Sequence, residues 1–209
     1  MLISLGMRCN PAGIIRERLN IERPTMVFDW TQMSSKTMLE IIDLEINDID
    51  DYMNKYFSEE FNDDDRNKTR GDWFPHDFPN DVNFVKERYI RRTKRFHESL
   101  ESDEYKVFLT HFGVNSIESN TEIESNTEIM YSFINHISRK TNINKSLFLS
   151  INCVNMDKKI NKNWINIHNT LGILEEGDIY IAKKIEMLSL LNQDGIRSAI
   201  ENDNINFLV

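Results

Sequence analysis

The 209-residue chain has only two cysteines, Cys9 and Cys153, far apart and in unlike surroundings. Two thiols cannot build the disulfide framework of a small secreted domain. No Cys-x-x-Cys or His-x-x-x-His spacing accompanies them, so no metal site is expected. Glycine is scarce, at seven residues, and none is followed by Lys-Ser or Lys-Thr. That excludes a phosphate loop, and no cofactor is expected. Positive charge is also in short supply: 25 Lys and Arg against 34 Asp and Glu leave a net charge of −9. Such a balance argues against a general binder of nucleic acid or of an anionic membrane. No apolar run approaches the ~20 residues of a membrane span. No basic stretch precedes the first apolar run, so no signal peptide is expected and a reducing, cytoplasmic compartment is.

What the chain does have is a hydrophobic fraction of 40% and twelve phenylalanines, enough for one globular domain over residues 1–209. Asn and Ile are abundant, a bias like that of an AT-rich genome, and much of the surface Asn needs no functional account. Residues 117–128 are a perfect tandem hexapeptide, Ile-Glu-Ser-Asn-Thr-Glu twice over. Two copies are too few for a solenoid, so a duplicated surface loop or helix start is expected.

Residues 1–5 read as a strand and residues 13–19 as an amphipathic helix, with Asn10 as its N-cap and Pro11 at its first position. Residues 24–30 read as a short strand or extended segment ending in Asp29-Trp30. Ser34 or Ser35 caps a helix through Met38, Leu39, Ile42 and Leu44. The acidic residues 45–65 lack the glycine and ligand spacing of a calcium loop and read as a solvated loop. Residues 70–81 form an aromatic loop broken by Pro75 and Pro79. A long helix follows to about Leu100, with Val82, Phe84, Val85, Tyr89, Phe96 and Leu100 on its apolar side. Strands are expected at 105–110, 147–154, 164–168 and 178–182, and helices at 130–137 and 196–201. This alternation predicts an α/β sandwich around a mostly parallel or mixed sheet flanked by helices. In such sheets the functional crevice lies at the carboxyl ends of the strands, where Gly6, Asn10 and His111 fall.

Cys9 is the candidate nucleophile. It sits between a strand and a helix N-terminus, beside Arg8, and both influences lower a thiol pKa. Such a thiol needs a base and a group to orient that base. His97 and His136 fall inside predicted helices, as surface or boundary residues, and His168 ends a strand. His76 has the strongest case, in its proline-bounded loop with Asp77 adjacent and Asp29 in the other Asp-Trp segment. Arg88, Arg91, Arg92 and Arg95 share one flank of the long helix, where pairing with the acidic surplus is the commoner role for such charges.

The series Ser4-Leu5-Gly6 with Cys9, Phe28-Asp29-Trp30, His76-Asp77-Phe78 and Arg91-Arg92 with Arg95-Phe96 resembles a family of bacterial and viral proteins described as papain-like cysteine peptidases. The resemblance covers residues 1–110; residues 111–209 follow only in strand–helix rhythm. It implies Cys9 as nucleophile, His76 as base, and Asp29 or Asp77 as the group that orients the imidazole. The Gly-Ser-Cys-Trp run of true papains is absent, and no Gln precedes Cys9. Backbone N–H groups of Cys9 and Asn10, with Arg8 or Asn10 nearby, would then hold an oxyanion. The expected activity is hydrolysis or transfer of an acyl or peptide substrate. The alternative is a non-catalytic anion-binding module built from the turn at residues 6–10 and the Arg88, Arg91, Arg92 and Arg95 face.

Overall fold

The computed structural model describes residues 1–6, 10–58, 68–69, 72–77, 81–111, 120–151 and 164–167. Its centre is a parallel sheet of β1 (Leu2–Ser4), β4 (Lys106–His111), β5 (Ser146–Ile151) and β6 (Trp164–Ile167), in the order β1-β4-β5-β6. A two-stranded antiparallel hairpin, β2 (Lys68–Thr69) and β3 (Asp72–Trp73), stands apart from it. The fold is therefore α/β. Every residue of β4 is buried, as expected of a central strand covered on both faces. Phe108 and Phe148 are directly paired in register, and their rings stack with centroids 4.9 Å apart.

The helix α1 (Asn10–Gly13) starts at Asn10, one residue earlier than the cap assignment, and its final part winds differently from the expected α-helix. Residues Ile14–Arg18 form a π-turn in which the Leu19 N–H donates to the Ile14 carbonyl at 3.0 Å. Ser34 caps α2 (Ser35–Asp43), accepting from the Thr37 N–H through its hydroxyl. The acidic segment is not a loop throughout. Ile46–Asp48 is a 3-10 turn and Ile49–Ser58 is α3, because Ile49, Met53, Tyr56 and Phe57 form a buried stripe among the carboxylates. Asp50 and Asp51 fall in the first turn, where the helix dipole favours negative charge. Residues 59–65 of that segment lie outside the described residues.

Asp81 caps α4 (Val82–Glu101), which buries Val85, Tyr89, Phe96 and Leu100 as expected. Phe84 is a correction: it is 48% exposed, and the Arg88 guanidinium lies 4.6 Å from its ring centroid. The helix α5 (Asn120–Ser138) begins inside the duplicated hexapeptide, so the repeat feeds a helix start. His136 on α5 is half-buried and meets Asp43 of α2 at 2.7 Å. The expected strand at 178–182, the helix at 196–201, Cys153 and His168 lie outside the described residues. Among the described residues no helix is long and apolar enough to cross a membrane.

His97 is also a correction. It is not a boundary residue but a buried one, donating from Nε2 to the Ile41 carbonyl at 2.9 Å across the α4–α2 contact. Burial holds its pKa below the ordinary 6.5, partly offset by the Ile41 hydrogen bond. The unfolded chain thus takes up a proton at a pH where the folded chain does not. The stability held by the neutral imidazole is complete above the ordinary value and is lost as pH falls below it. Urea melts between about pH 7 and pH 5 are expected to show this slope in the wild type and a flatter one in His97→Gln. Equal slopes in the two proteins would assign the loss to other groups.

Candidate functional site

Parallel pairing of β1 with β4 matches Ser4 to Leu109, and the Leu5 N–H donates to the Leu109 carbonyl at 2.8 Å. Continuing that register brings Gly6 level with His111 at the carboxyl edge of the sheet. Gly6 is buried and His111 is 8% exposed. Arg8 and Cys9 lie outside the described residues, and the description resumes at Asn10, the first residue of α1. The edge is thus the one the strand rule selects, and α1 starts directly after the candidate nucleophile.

His76 lies in the 3-10 turn Pro75–Asp77 between β3 and α4, and it is exposed. Its ring meets the indole of Trp30 edge-on, with centroids 5.1 Å apart and planes at 62°. Trp30 comes from the 24–30 segment, which is not a strand. The Asp29 N–H donates to the Met26 carbonyl at 3.2 Å, the Met26 N–H donates to Asp29 Oδ2 at 2.8 Å, and Trp30 takes a φ of 61°. A positive φ at a bulky residue costs free energy and persists only where its surroundings hold it. Here the holders are explicit. The next residues pair with β3 through Gln32 and Trp73, by backbone bonds of 3.0 and 2.9 Å. Buried Asp72 accepts from the Ser34 N–H at 2.6 Å and from the Tyr56 hydroxyl at 2.7 Å. The Trp30 ring also lies near α1: a Cβ built on Gly13 would be 4.0 Å from its Cη2 atom.

The two carboxylates proposed to orient the imidazole are both buried, and each has other partners. Asp29 is held by Arg23 through two 2.8 Å hydrogen bonds in addition to the Met26 N–H. Asp77, 1% exposed, is bonded by Arg88 and by the Tyr89 hydroxyl at 3.0 Å, and Arg92 Nη1 lies 3.5 Å away. Burial raises the Tyr89 phenol pKa, so Tyr89 serves Asp77 as a neutral donor. Burial and the neighbouring Arg92 lower that of the Arg88 guanidinium. Arg95 donates to the Thr25 carbonyl at 3.2 Å, and Arg91 is exposed. Most of the arginine flank therefore meets internal partners, the commoner role for such charges.

Sequence patterns do not single out Arg23 and Asp72. Arg23 belongs to no motif, and Asp72 carries only the faint signal of repeating the Asp-Trp pair of Asp29-Trp30. Among the described residues no group of three His, Cys, Asp or Glu is placed to hold a metal ion. Comparison of the chain with models of protein families, with curated proteins and with solved structures finds no match in any of the three.

Proposed function

We propose that this chain is a small thiol hydrolase or transferase of papain-like chemistry acting on an acyl or peptide substrate. The Cys9 sulfur attacks the carbonyl carbon, and His76 accepts the thiol proton and returns it to the departing group. Water, or another acceptor, then releases the acyl group from the sulfur. Backbone N–H groups at Cys9 and Asn10, with Arg8 nearby, are the oxyanion donors in this scheme. The supporting observation is the Trp30 indole, which meets the exposed His76 ring edge-on and whose Cη2 lies 4.0 Å from where a Cβ at Gly13, on the helix after Cys9, would sit. In this reading the imidazole is positioned by Trp30, while Asp29 and Asp77 hold the backbone segments that present the two rings. The anion-module alternative draws less support, since Arg88 and Arg92 are already committed to Asp77.

Alkylation by iodoacetamide, followed at Cys9 and Cys153 by mass spectrometry across pH, tests the reading. An ordinary thiol becomes reactive near pH ~8.5, and a paired one well below. Cys9 is expected to react rapidly near pH ~6 and to slow at least ~10-fold in His76→Ala, with Cys153 unchanged. Equal rates in the two proteins would remove His76 from the mechanism. An ordinary thiol profile at Cys9 in the wild type would end the hydrolase reading.

A further inference from the structure

The arginine flank of α4 carries more positive charge than the acid beside it can answer, and it does so next to His76. Asp77 follows His76 in the same 3-10 turn and is the carboxylate that Arg88 and Arg92 approach. Arg88 bonds it directly, whereas Arg92 Nη1 stops 3.5 Å away and makes no hydrogen bond. Arg91 adds a third guanidinium, exposed and without a hydrogen bond or ion pair among the described residues. Burial, then the neighbouring Arg92 and Arg91, lower the Arg88 pKa, as like charges held close together do. Three guanidiniums thus stand against one buried carboxylate. The other buried carboxylate of the site, Asp29, is matched by Arg23. Glu87 is the one acid of α4 before Glu98, and no ion pair joins it to Arg91, four residues on. In a chain of net charge −9 this is a local field of the opposite sign, the arrangement that steers an anionic partner.

We propose that the substrate of the thiol chemistry carries an acidic peptide segment, held by Arg91 and Arg88 beside His76. Its role as a substrate surface rests on the thiol reading; its charge does not. Helix residues three apart stand ~5–6 Å from each other, so Arg88 and Arg91 offer donors to one or two carboxylates along one side of α4. Guanidiniums suit carboxylates by geometry as well as by charge. Phe84 helps to hold the Arg88 guanidinium in place, by a cation–π contact of 4.6 Å. The excess charge is small and local, and the acidic remainder of the chain repels a polyanion, so a short acidic peptide is favoured over a nucleic acid. Arg88 and Arg92 keep Asp77 throughout, and the arriving carboxylate answers the charge that Asp77 leaves over.

Proton–nitrogen spectra of the full chain, titrated with acetyl-Gly-Glu-Glu-Gly-amide and with acetyl-Gly-Gln-Gln-Gly-amide, test this directly. The two peptides match in length and differ in charge. The acidic one is expected to give saturable shifts around Arg88, Arg91 and the His76 turn. It should also slow iodoacetamide alkylation at Cys9 and not at Cys153. The neutral peptide, and the acidic peptide on Arg91→Gln, are expected to bind ~10-fold more weakly, the loss of one charge-assisted contact. Raising salt from about 50 mM to about 300 mM should weaken the acidic peptide alone. Glu87→Gln should tighten it. Arg91→Gln is expected to melt like the wild type, because the side chain it removes is exposed and unpartnered. Equal binding of the two peptides, an Arg91→Gln variant that binds like the wild type, or tighter binding of a uridine tetranucleotide would overturn the proposal. So would saturable binding that leaves Cys9 alkylation unprotected. An ordinary thiol profile at Cys9 with acidic-peptide binding intact would instead end the hydrolase reading and leave the anion-selective surface standing, so the two failures are distinct.

Discussion

Asp77→Ala is expected to lower stability by about 3 kcal/mol, the usual cost of removing one partner from a buried ion pair. The Asp77 carboxylate is 1% exposed and gathers two guanidiniums and a phenol, all from successive turns of α4 at Arg88, Tyr89 and Arg92. Its loss leaves Arg92, with a side chain only 11% exposed, without its carboxylate, and the buried Tyr89 hydroxyl without an acceptor. Thermal melts should show a fall of roughly 6–12 °C for a domain of this size. The neighbouring His76→Ala should change stability by less than ~0.5 kcal/mol, because an exposed ring fills no core. Adjacent residues in one 3-10 turn would then separate cleanly, Asp77 for architecture and His76 for reactivity. Asp77→Asn refines the test, since it removes the charge and keeps an oxygen for Tyr89. If Asp77→Ala melts within about 1 kcal/mol of the wild type, the ion cluster is not structural. If Asp77→Asn instead keeps its melting temperature but slows Cys9 alkylation, the carboxylate acts through the imidazole.

The elements read correctly from sequence were those whose periodicity agrees with their tertiary setting. α4 has an N-cap aspartate just after Pro79, apolar residues at helical spacing and no proline within it, so its start is written locally. β4 and β5 each centre on an unbroken apolar triplet, Val107-Phe108-Leu109 and Leu147-Phe148-Leu149, as suits strands covered on two faces. The α3 segment was hidden because it sits within residues 45–65, where nine carboxylates outnumber the four residues that bury it, and composition masks a stripe of that width. His97 was hidden for a different reason. A polar residue in a helix interior reads as surface, and only the carbonyl of Ile41, 56 residues away, makes burial tolerable. Phe84 is the converse case, an apolar residue at core spacing that faces outward and is covered by its own helix through Arg88. The order of Cys9, His76 and the two aspartates was legible, whereas what each aspartate binds was not. Partners such as Arg23 and Tyr89 are set by how turns and helices meet, and no spacing encodes them.

That distinction makes Asp29 the sharper test of how the candidate site is held. Asp29 is 3% exposed and fixes three things together: the Arg23 side chain, the Met26 N–H and the turn that gives Trp30 its positive φ. Asp29→Ala is expected to cost about 3 kcal/mol, because the guanidinium and a buried backbone donor are both left without their acceptor. Without those bonds the strained Trp30 conformation is no longer over-determined, and the indole should leave His76. Reactivity at Cys9 should therefore fall with the turn, even though no bond from Asp29 to the imidazole is invoked. Arg23→Met separates the two roles: it leaves the Met26 N–H bond to Asp29 and should keep part of the turn, and with it part of the alkylation rate. The double variant Asp29→Ala with Arg23→Met should recover stability relative to Asp29→Ala alone, since no unpaired guanidinium is left buried. If instead Asp29→Ala abolishes Cys9 reactivity while melting like the wild type, the turn does not need the carboxylate. Asp29 would then be acting on His76 directly, and the aspartate of the resemblance would be this one.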